Sequence, residues 1–167
     1  MSAEERVPPE VVGDADALSL LTEALPASRP EPAVRERLLR ALAGPERYTP
    51  WATQVSQRFG LTLEEARDAL RRIHEPSAWR PGLWPGSRLL TTPALSRQRA
   101  IVAELPAGMR IASHRHASRE LTYILDGTLI ENGELRHESG GLLEMRSGSQ
   151  HELTVTEDGH CLVVFSV

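Results

Sequence analysis

The spacing of hydrophobic and polar positions changes about halfway along this chain. Before residue 79 the apolar residues recur at intervals of three and four, which is the period of a helix buried along one face. After residue 86 short apolar runs are separated by turn residues, as antiparallel strands require. The pattern predicts a mainly β protein with an α-helical N-terminal part.

Four helices are predicted in the first half, spanning residues 14–25, 32–43, 49–60 and 62–73. Gly44 and Gly60 follow two of them in the position where glycine commonly ends a helix. Thr62 and Glu65 have the spacing of a capping box, which begins a helix by satisfying free backbone N–H groups. The sequence therefore predicts helix ends as well as helices.

Nine strands are predicted in the second half: residues 87–91, 99–104, 111–116, 120–126, 128–131, 134–137, 141–145, 151–156 and 161–167. Asn132-Gly133 favours a tight hairpin, because a type I′ turn needs two residues that tolerate positive φ. The proline, glycine and tryptophan cluster at 79–86 is predicted to be a linker. The expected organisation is a disordered tail (1–12), a helical region (13–78) and a β domain (79–167).

Charge and composition argue against two classes of partner. The formal net charge is −4 and no segment offers a basic face, so direct binding of nucleic acid is not expected. The third and fourth helices have the layout of a helix-turn-helix, but the second of them opens with Glu64, Glu65 and Asp68, which phosphates would repel. We expect no membrane association, because no apolar run is long enough to cross a bilayer.

The N-terminus and the cysteine content favour a cytoplasmic protein. The first residues lack the cationic start and apolar stretch of a secretory signal. Cys161 is the single cysteine, so an internal disulfide is excluded and a reducing compartment is favoured. Because it begins an apolar run, we expect it to be a buried small hydrophobic residue.

Three histidines and one carboxylate form the main candidate site. Residues two apart on a strand share a face, so His114 and His116 point the same way, and Glu120 has the same parity. His151 opens a later strand after a glycine and serine turn. Three imidazoles and a carboxylate suit Fe, Mn, Ni, Cu or Zn better than Ca or Mg. The alternative is a site of the same shape that binds metal weakly or not at all.

The other histidines and the aromatic residues are predicted to be structural. His74 lies at a helix end, and His160 is expected on the surface. Surface exposure is also favoured for His137, and the alternative is a position near the site on a neighbouring strand. Tyr123 has the opposite parity from Glu120, which places it on the outer face of the sheet, against a helix or a second subunit. The tryptophans are predicted to be packing residues: Trp51, Trp79 and Trp84.

The run from Gly108 to Gly127 resembles the first motif of the cupin superfamily, Gly-five-His-X-His-three-Glu-six-Gly, at every defining position. A second segment with Gly140, Gly148 and His151 is similar to the second cupin motif, although Arg146 and Val155 replace its usual Pro and Asn. The resemblance implies a small antiparallel β-barrel (a double-stranded β-helix). It also implies one divalent metal bound by His114, His116, Glu120 and His151.

The helical segment before a single cupin-like domain resembles the ChrR-type anti-sigma factors, as do the segments 32–42 and 158–162. In those proteins an N-terminal helical domain holds a sigma factor and the cupin domain senses a signal. Their helical domain uses a His-three-Cys-two-Cys zinc motif, whereas this chain has no cysteine before Cys161. The resemblance therefore does not carry sigma-factor binding over to particular residues.

Three functions remain open at this stage. The first is a metal-binding regulatory or sensor cupin with a sigma factor or another regulatory protein as partner. The second is a metal-dependent enzyme of the dioxygenase type, and the third is a protein that binds a small molecule without turnover. A homodimer is expected, because exposed edge strands are otherwise a liability.

Overall fold

The computed structural model describes residues 31–166. By its contacts the chain divides into two compact units, Met1–Arg37 and Leu38–Val167, and the fold described below is that of the second unit. The predicted tail (1–12) and first helix (14–25) lie outside the described residues. None of the helices within residues 31–166 has the length and hydropathy that a membrane span requires.

The described α-helices are α1 (Pro32–Ala43), α2 (Ala52–Phe59), α3 (Leu63–Arg71) and α4 (Pro93–Arg97), with 3-10 turns at Thr49–Trp51, Arg72–His74 and Pro76–Ala78. Helices α1 to α3 lie where the sequence predicts them. The capping box is confirmed, since Thr62 Oγ1 accepts from Glu65 N–H and the Glu65 carboxylate accepts from Thr62 N–H. Helix α4 was not predicted, because five residues are too few to show a helical period.

The strands are β1 (Trp79–Pro81), β2 (Arg88–Leu90), β3 (Ala100–Leu105), β4 (Arg110–Arg115), β5 (Glu120–Asp126), β6 (Thr128–Glu131), β7 (Leu135–Glu138), β8 (Leu142–Met145), β9 (Gln150–Val155) and β10 (Cys161–Ser166). A six-stranded sheet has the order β1-β2-β3-β10-β5-β8, and a four-stranded sheet has the order β4-β9-β6-β7. All neighbours are antiparallel.

The two sheets confirm the mainly β, antiparallel class and are consistent with a cupin fold. Within residues 31–166 no pairing joins a strand of one sheet to a strand of the other. The closed barrel therefore stays a prediction, as does the domain boundary at residue 79.

Two local features test the turn predictions. Asn132 and Gly133 have φ of 52° and 76° between β6 and β7, and Glu134 N–H donates to Glu131 O at 3.1 Å, which confirms the type I′ hairpin. The predicted linker at 79–86 is instead partly a strand, because β1 pairs with β2. Pro81 is compatible with this strand, since β1 lies at the edge of its sheet and needs fewer N–H donors.

The six-stranded sheet has a hydrophobic cluster on each face. On β5 the alternate residues Leu121, Tyr123 and Leu125 pack with buried residues of α2 and α3, whereas Ile124 packs with residues of the four-stranded sheet. This is the period of two that a strand covered on both sides should show. The Tyr123 ring meets the Trp51 ring edge-on at 6.0 Å, which confirms its predicted place on the outer face.

Replacing Thr62 by alanine is expected to lower the free energy of unfolding by about 1 kcal/mol, because the N-terminal N–H groups of α3 lose their side-chain acceptor. Urea unfolding followed by circular dichroism measures the change. Thr53→Ala is the matched control, since Thr53 is exposed within α2. Equal effects of the two substitutions would contradict a stabilising cap.

Cys161 is fully buried, as predicted, and burial together with nearby Asp126 raises the pKa of its thiol to about 12. The native protein is therefore expected to be unreactive toward Ellman's reagent at pH 8, where the thiolate attacks. One thiol per chain should react after unfolding in guanidinium chloride. Rapid reaction of the folded protein would contradict this assignment.

Candidate metal centre

Strands β4 and β9 bring the predicted histidines together. They pair antiparallel, with His114 opposite His151 and an irregular register between Ile111 and His114. His116 follows β4, and its backbone is held against the turn before β9: His116 N–H donates to Ser149 O at 3.0 Å, and Gly148 N–H donates to His116 O at 2.7 Å. The two segments that resemble cupin motifs thus meet through backbone hydrogen bonds.

The three imidazoles form a tight cluster. Their ring centroids are 4.7 to 4.8 Å apart, and one ring nitrogen from each residue lies within 4.8 Å of the others. His116 and His151 are 6% and 1% exposed, and His114 is partly exposed. The prediction that these three histidines converge is confirmed.

The Nε2 atoms of His116 and His151 are buried and have no hydrogen-bond partner in the described part of the chain. Leaving a buried polar atom unpaired costs about 1–3 kcal/mol. A metal ion bound at these nitrogens would remove that cost. The unpaired nitrogens of His116 and His151 are therefore suited to bind a metal ion.

Each histidine has an oxygen atom near its other ring nitrogen. The Nδ1 atoms of His114, His116 and His151 lie 3.0, 3.4 and 3.2 Å from Ala112 O, Glu120 Oε2 and Glu131 Oε1. Metal-ligating histidines commonly donate their second N–H to a carbonyl or carboxylate, which leaves the opposite nitrogen free for the metal. The orientation of all three rings agrees with ligation through Nε2.

Glu120, the predicted fourth ligand, stands beside the cluster. It is the first residue of β5, its side chain is 27% exposed, and its carboxylate lies 3.4 Å from His116 Nδ1. The set of mutually close ligand atoms consists of the three histidines. Direct ligation by Glu120 stays a prediction.

Sequence reasoning missed Glu131 and misplaced His137. Glu131, at the end of β6, is 7% exposed and contacts both His151 and His137, and His137 Nε2 lies 3.0 Å from Glu131 Oε2. The favoured prediction for His137, surface exposure, is wrong, because its side chain is only 20% exposed and contacts Glu131. The structure agrees with the alternative, a position near the site on a neighbouring strand. Glu131 has the same strand parity as buried Leu129, which was the signal for an inward carboxylate.

Burial lowers the pKa of His151 below its ordinary value of 6.5; the hydrogen bond with Glu131 opposes this shift, and the neighbouring His114 and His116 add to it. A lowered pKa keeps the imidazole neutral near pH 7. The neutral ring is the form that binds a metal.

A cavity of about 500 Å³ adjoins the cluster. His114 and Glu120 form part of its wall, and Ser113 and Thr122 supply the other polar side chains. The remaining lining residues are apolar: Trp84, Leu105, Ile111, Ala112, Leu129, Leu153, Val163 and Phe165. The volume and the apolar lining with few polar groups are typical of small-molecule sites.

The remaining histidines lie outside this cluster. The His74 ring stacks on Tyr48 at 5.8 Å, and His160 is exposed, as predicted. The tryptophans pack against the two hydrophobic clusters, which confirms their predicted role.

No protein-family model matches the chain, and no curated protein sequence matches it. Among solved structures, a protein of unknown function with a cupin-like fold from Ralstonia eutropha is 21% identical, with a TM-score of 0.38. That match covers 40% of this chain and 43% of the other, so the chain spans less than half of that protein.

Two further structures are similar. The anti-sigma ChrR, solved in complex with SigE of Rhodobacter sphaeroides, is 22% identical over 91% of this chain and 74% of its own, with a TM-score of 0.47. An acetylacetone dioxygenase from Acinetobacter johnsonii is 15% identical over 56% of this chain and 70% of its own, with a TM-score of 0.46. These likenesses concern the fold alone, and in fold the chain is similar to cupin-like proteins, ChrR among them.

Proposed function

We propose that this protein binds one divalent transition metal through His114, His116 and His151 and uses the site in a regulatory or sensing role. The observation that carries the proposal is the pair of buried, unpartnered Nε2 atoms on His116 and His151. Three imidazole donors favour Zn, Fe, Mn, Ni or Cu over Ca and Mg. Such a metal, when bound, supplies a Lewis acid with coordination positions left open.

Glu120 is the proposed fourth ligand. Its place in the wall of the same cavity as His114 supports this role. Its carboxylate lies 3.4 Å from His116 Nδ1, so ligation requires the side chain to rotate away from that nitrogen. In either position, beside His116 or on the metal, it offsets positive charge at the site. Glu120→Gln is expected to weaken metal binding without unfolding the protein, since the side chain is part-exposed.

The cavity supports recognition of a small apolar molecule beside the metal. Its polar groups, apart from the candidate ligands His114 and Glu120, are the hydroxyls of Ser113 and Thr122. A hydroxyl is a weak general acid or base near pH 7, so the wall orients a ligand better than it moves a proton. This composition favours a sensor or binding protein over turnover. Dioxygenase chemistry is the second candidate, because the cavity has room for a substrate.

The regulatory role brings further proposals about partners and location. The resemblance to ChrR-type anti-sigma factors makes a sigma factor the partner to test first. We also propose a homodimer, formed through an exposed sheet edge. A cytoplasmic location fits the single cysteine.

The first experiment measures the metal content of the purified protein by plasma mass spectrometry, beside the double variant His114→Ala, Glu120→Ala. We expect about one metal ion per chain in the natural protein and almost none in the variant. His160→Ala is the matched control, because His160 is exposed and is not one of the clustered histidines. Absence of metal from the natural protein, even after dialysis against each candidate ion, would refute the site.

The role is tested on the metal-loaded protein. Recovery of a sigma factor with the tagged protein, lost or gained when the metal is removed, would support regulation. Oxygen uptake with diketone, thiol or phenolic compounds would support the enzyme instead. A co-purifying small molecule that is released unchanged would support binding without turnover.

A further inference from the structure

We propose that Glu131 is a positioning residue that fixes the ring of His151 for metal binding, and that His137 holds Glu131 in place. This proposal rests on the proposed metal site and extends it to β6 and β7. Neither strand carries a residue of the three-histidine cluster. Glu131 is a buried carboxylate that does not belong to the predicted ligand set, and the proposal gives it a function.

The Glu131 carboxylate lies between two imidazoles. The Glu131 side chain is 10% exposed, and its two oxygens have different partners: Oε1 lies 3.2 Å from His151 Nδ1, and Oε2 lies 3.0 Å from His137 Nε2. Both partners are imidazoles, and the described ion pairs give this carboxylate no arginine. A buried carboxylate must be compensated, so these two contacts define what the side chain does.

The direction of the hydrogen bonds follows from chemistry. A carboxylate oxygen is an acceptor, so each imidazole donates its N–H to the oxygen that it faces. His151 therefore carries its proton on Nδ1, and the Nε2 lone pair is bare. That nitrogen is the buried atom without a hydrogen-bond partner in the described residues. Glu131 thus sets the tautomer that a metal requires.

The backbone makes this arrangement rigid. β6 pairs with β9 on one side and with β7 on the other, with Glu131 opposite Leu153 and Leu135. His151 and His137 come from these two flanking strands, so the carboxylate bridges three consecutive strands. A ligand held through strands is positioned more precisely than one held through a loop.

Glu131→Gln is the sharpest test, because it keeps the shape of the side chain. A glutamine has one carbonyl oxygen and one NH₂ group, so it can accept from only one of the two imidazoles. The other imidazole then faces the NH₂ group of the glutamine, so its own proton must move to its other ring nitrogen. On His151 that change puts the proton on Nε2 and blocks the metal. We expect metal affinity to fall about 10- to 100-fold.

Two measurements test the effect of Glu131→Gln. Long-range ¹H–¹⁵N NMR of the metal-free protein reports which nitrogen of His151 is protonated, and competition with a chromogenic chelator gives the Zn²⁺ affinity. The natural protein should show His151 protonated on Nδ1. Glu131→Gln should show a fraction of His151 protonated on Nε2, namely the molecules in which the amide NH₂ group faces this ring. Glu134→Gln is the matched control, since Glu134 is an exposed carboxylate in the same hairpin.

The His137 position separates positioning from simple packing. His137→Gln retains an N–H donor toward Glu131 and should keep most of the Zn²⁺ affinity, whereas His137→Leu removes the donor and should lower it. Equal affinities of these two variants would overturn the role of His137. An unchanged His151 tautomer and unchanged affinity in Glu131→Gln would overturn the role of Glu131.

The NMR result does not depend on metal binding. If the natural protein binds no Zn²⁺ but Glu131→Gln still shifts the proton on His151, the proposed function fails and the positioning role stands. If Glu131→Gln does not fold, the two His137 variants carry the test, because that side chain is more exposed.

Discussion

Replacing His116 by leucine is expected to abolish metal binding and yet leave the metal-free protein as stable as the natural one or more so. Nε2 of this nearly buried imidazole has no hydrogen-bond partner among the described residues. Removing an unpaired buried polar group and filling its space with an apolar one gains about 1 kcal/mol. Its Nδ1 neighbour Glu120 is part-exposed, so water can replace the lost contact.

In the presence of the metal, the natural protein should become more stable than the His116→Leu variant. At a free metal concentration 1,000 times the dissociation constant, the natural protein gains about 4 kcal/mol, because the ion binds only the folded state. The leucine variant should gain nothing. Thermal unfolding with and without Zn²⁺ measures both effects, and His160→Leu controls for loss of an exposed histidine. A metal-free His116→Leu protein that is markedly less stable would mean that the imidazole serves packing and not a metal.

A variant that is more stable without the metal and less stable with it is typical of a functional site, where polar groups are kept at a cost in stability. The histidine cluster makes that cost visible, because three imidazoles approach within 4.8 Å in a mainly apolar surrounding. A sequence selected for stability alone would place hydrocarbon there.

Local patterns of hydrophobic and polar residues were sufficient to predict most of the strands. The predicted strands 120–126 and 128–131 coincide with β5 and β6, because alternation of side chains is a property of the strand itself. The convergence of His114 and His116 followed from the same parity. Two short elements were missed. β1 lies in a stretch rich in proline and glycine, which predicts a linker, and the five residues of α4 are too few to show a helical period.

The second layer of the site could not be predicted from local patterns. The hairpin of β6 and β7, which brings Glu131 near His137, is local. Glu131 meets His151 only because β6 also pairs with β9, a segment that lies later in the chain, and no local pattern predicts that pairing. Nor does the sequence say whether Glu120 lies on the metal or against His116, since one rotation of a part-exposed side chain separates the two. Ring and carboxylate orientation depends on neighbours that the strand pattern does not specify.

Gly127→Ala is expected to have the largest effect on folding of any glycine-to-alanine substitution within residues 31–166. Gly127 is the one residue between β5 and β6, where the chain leaves the six-stranded sheet and enters the four-stranded sheet. Its φ is +86°, and an added Cβ would lie 2.4 Å from His160 O and 2.9 Å from Cys161 Cα. Both are backbone atoms, so no side-chain rotation can relieve the contact.

Positive φ and overpacking together should cost about 3 kcal/mol or more in the free energy of unfolding. Gly133→Ala separates the two causes. Gly133 has a similar φ of +76°, but nothing lies within 4 Å of its added Cβ, so this variant should lose only about 1 kcal/mol. Chemical denaturation of both variants gives the difference. Equal losses would show that backbone conformation alone requires glycine at 127. A much larger loss at 127 would show that the close approach of the backbone at His160 and Cys161 also requires glycine there.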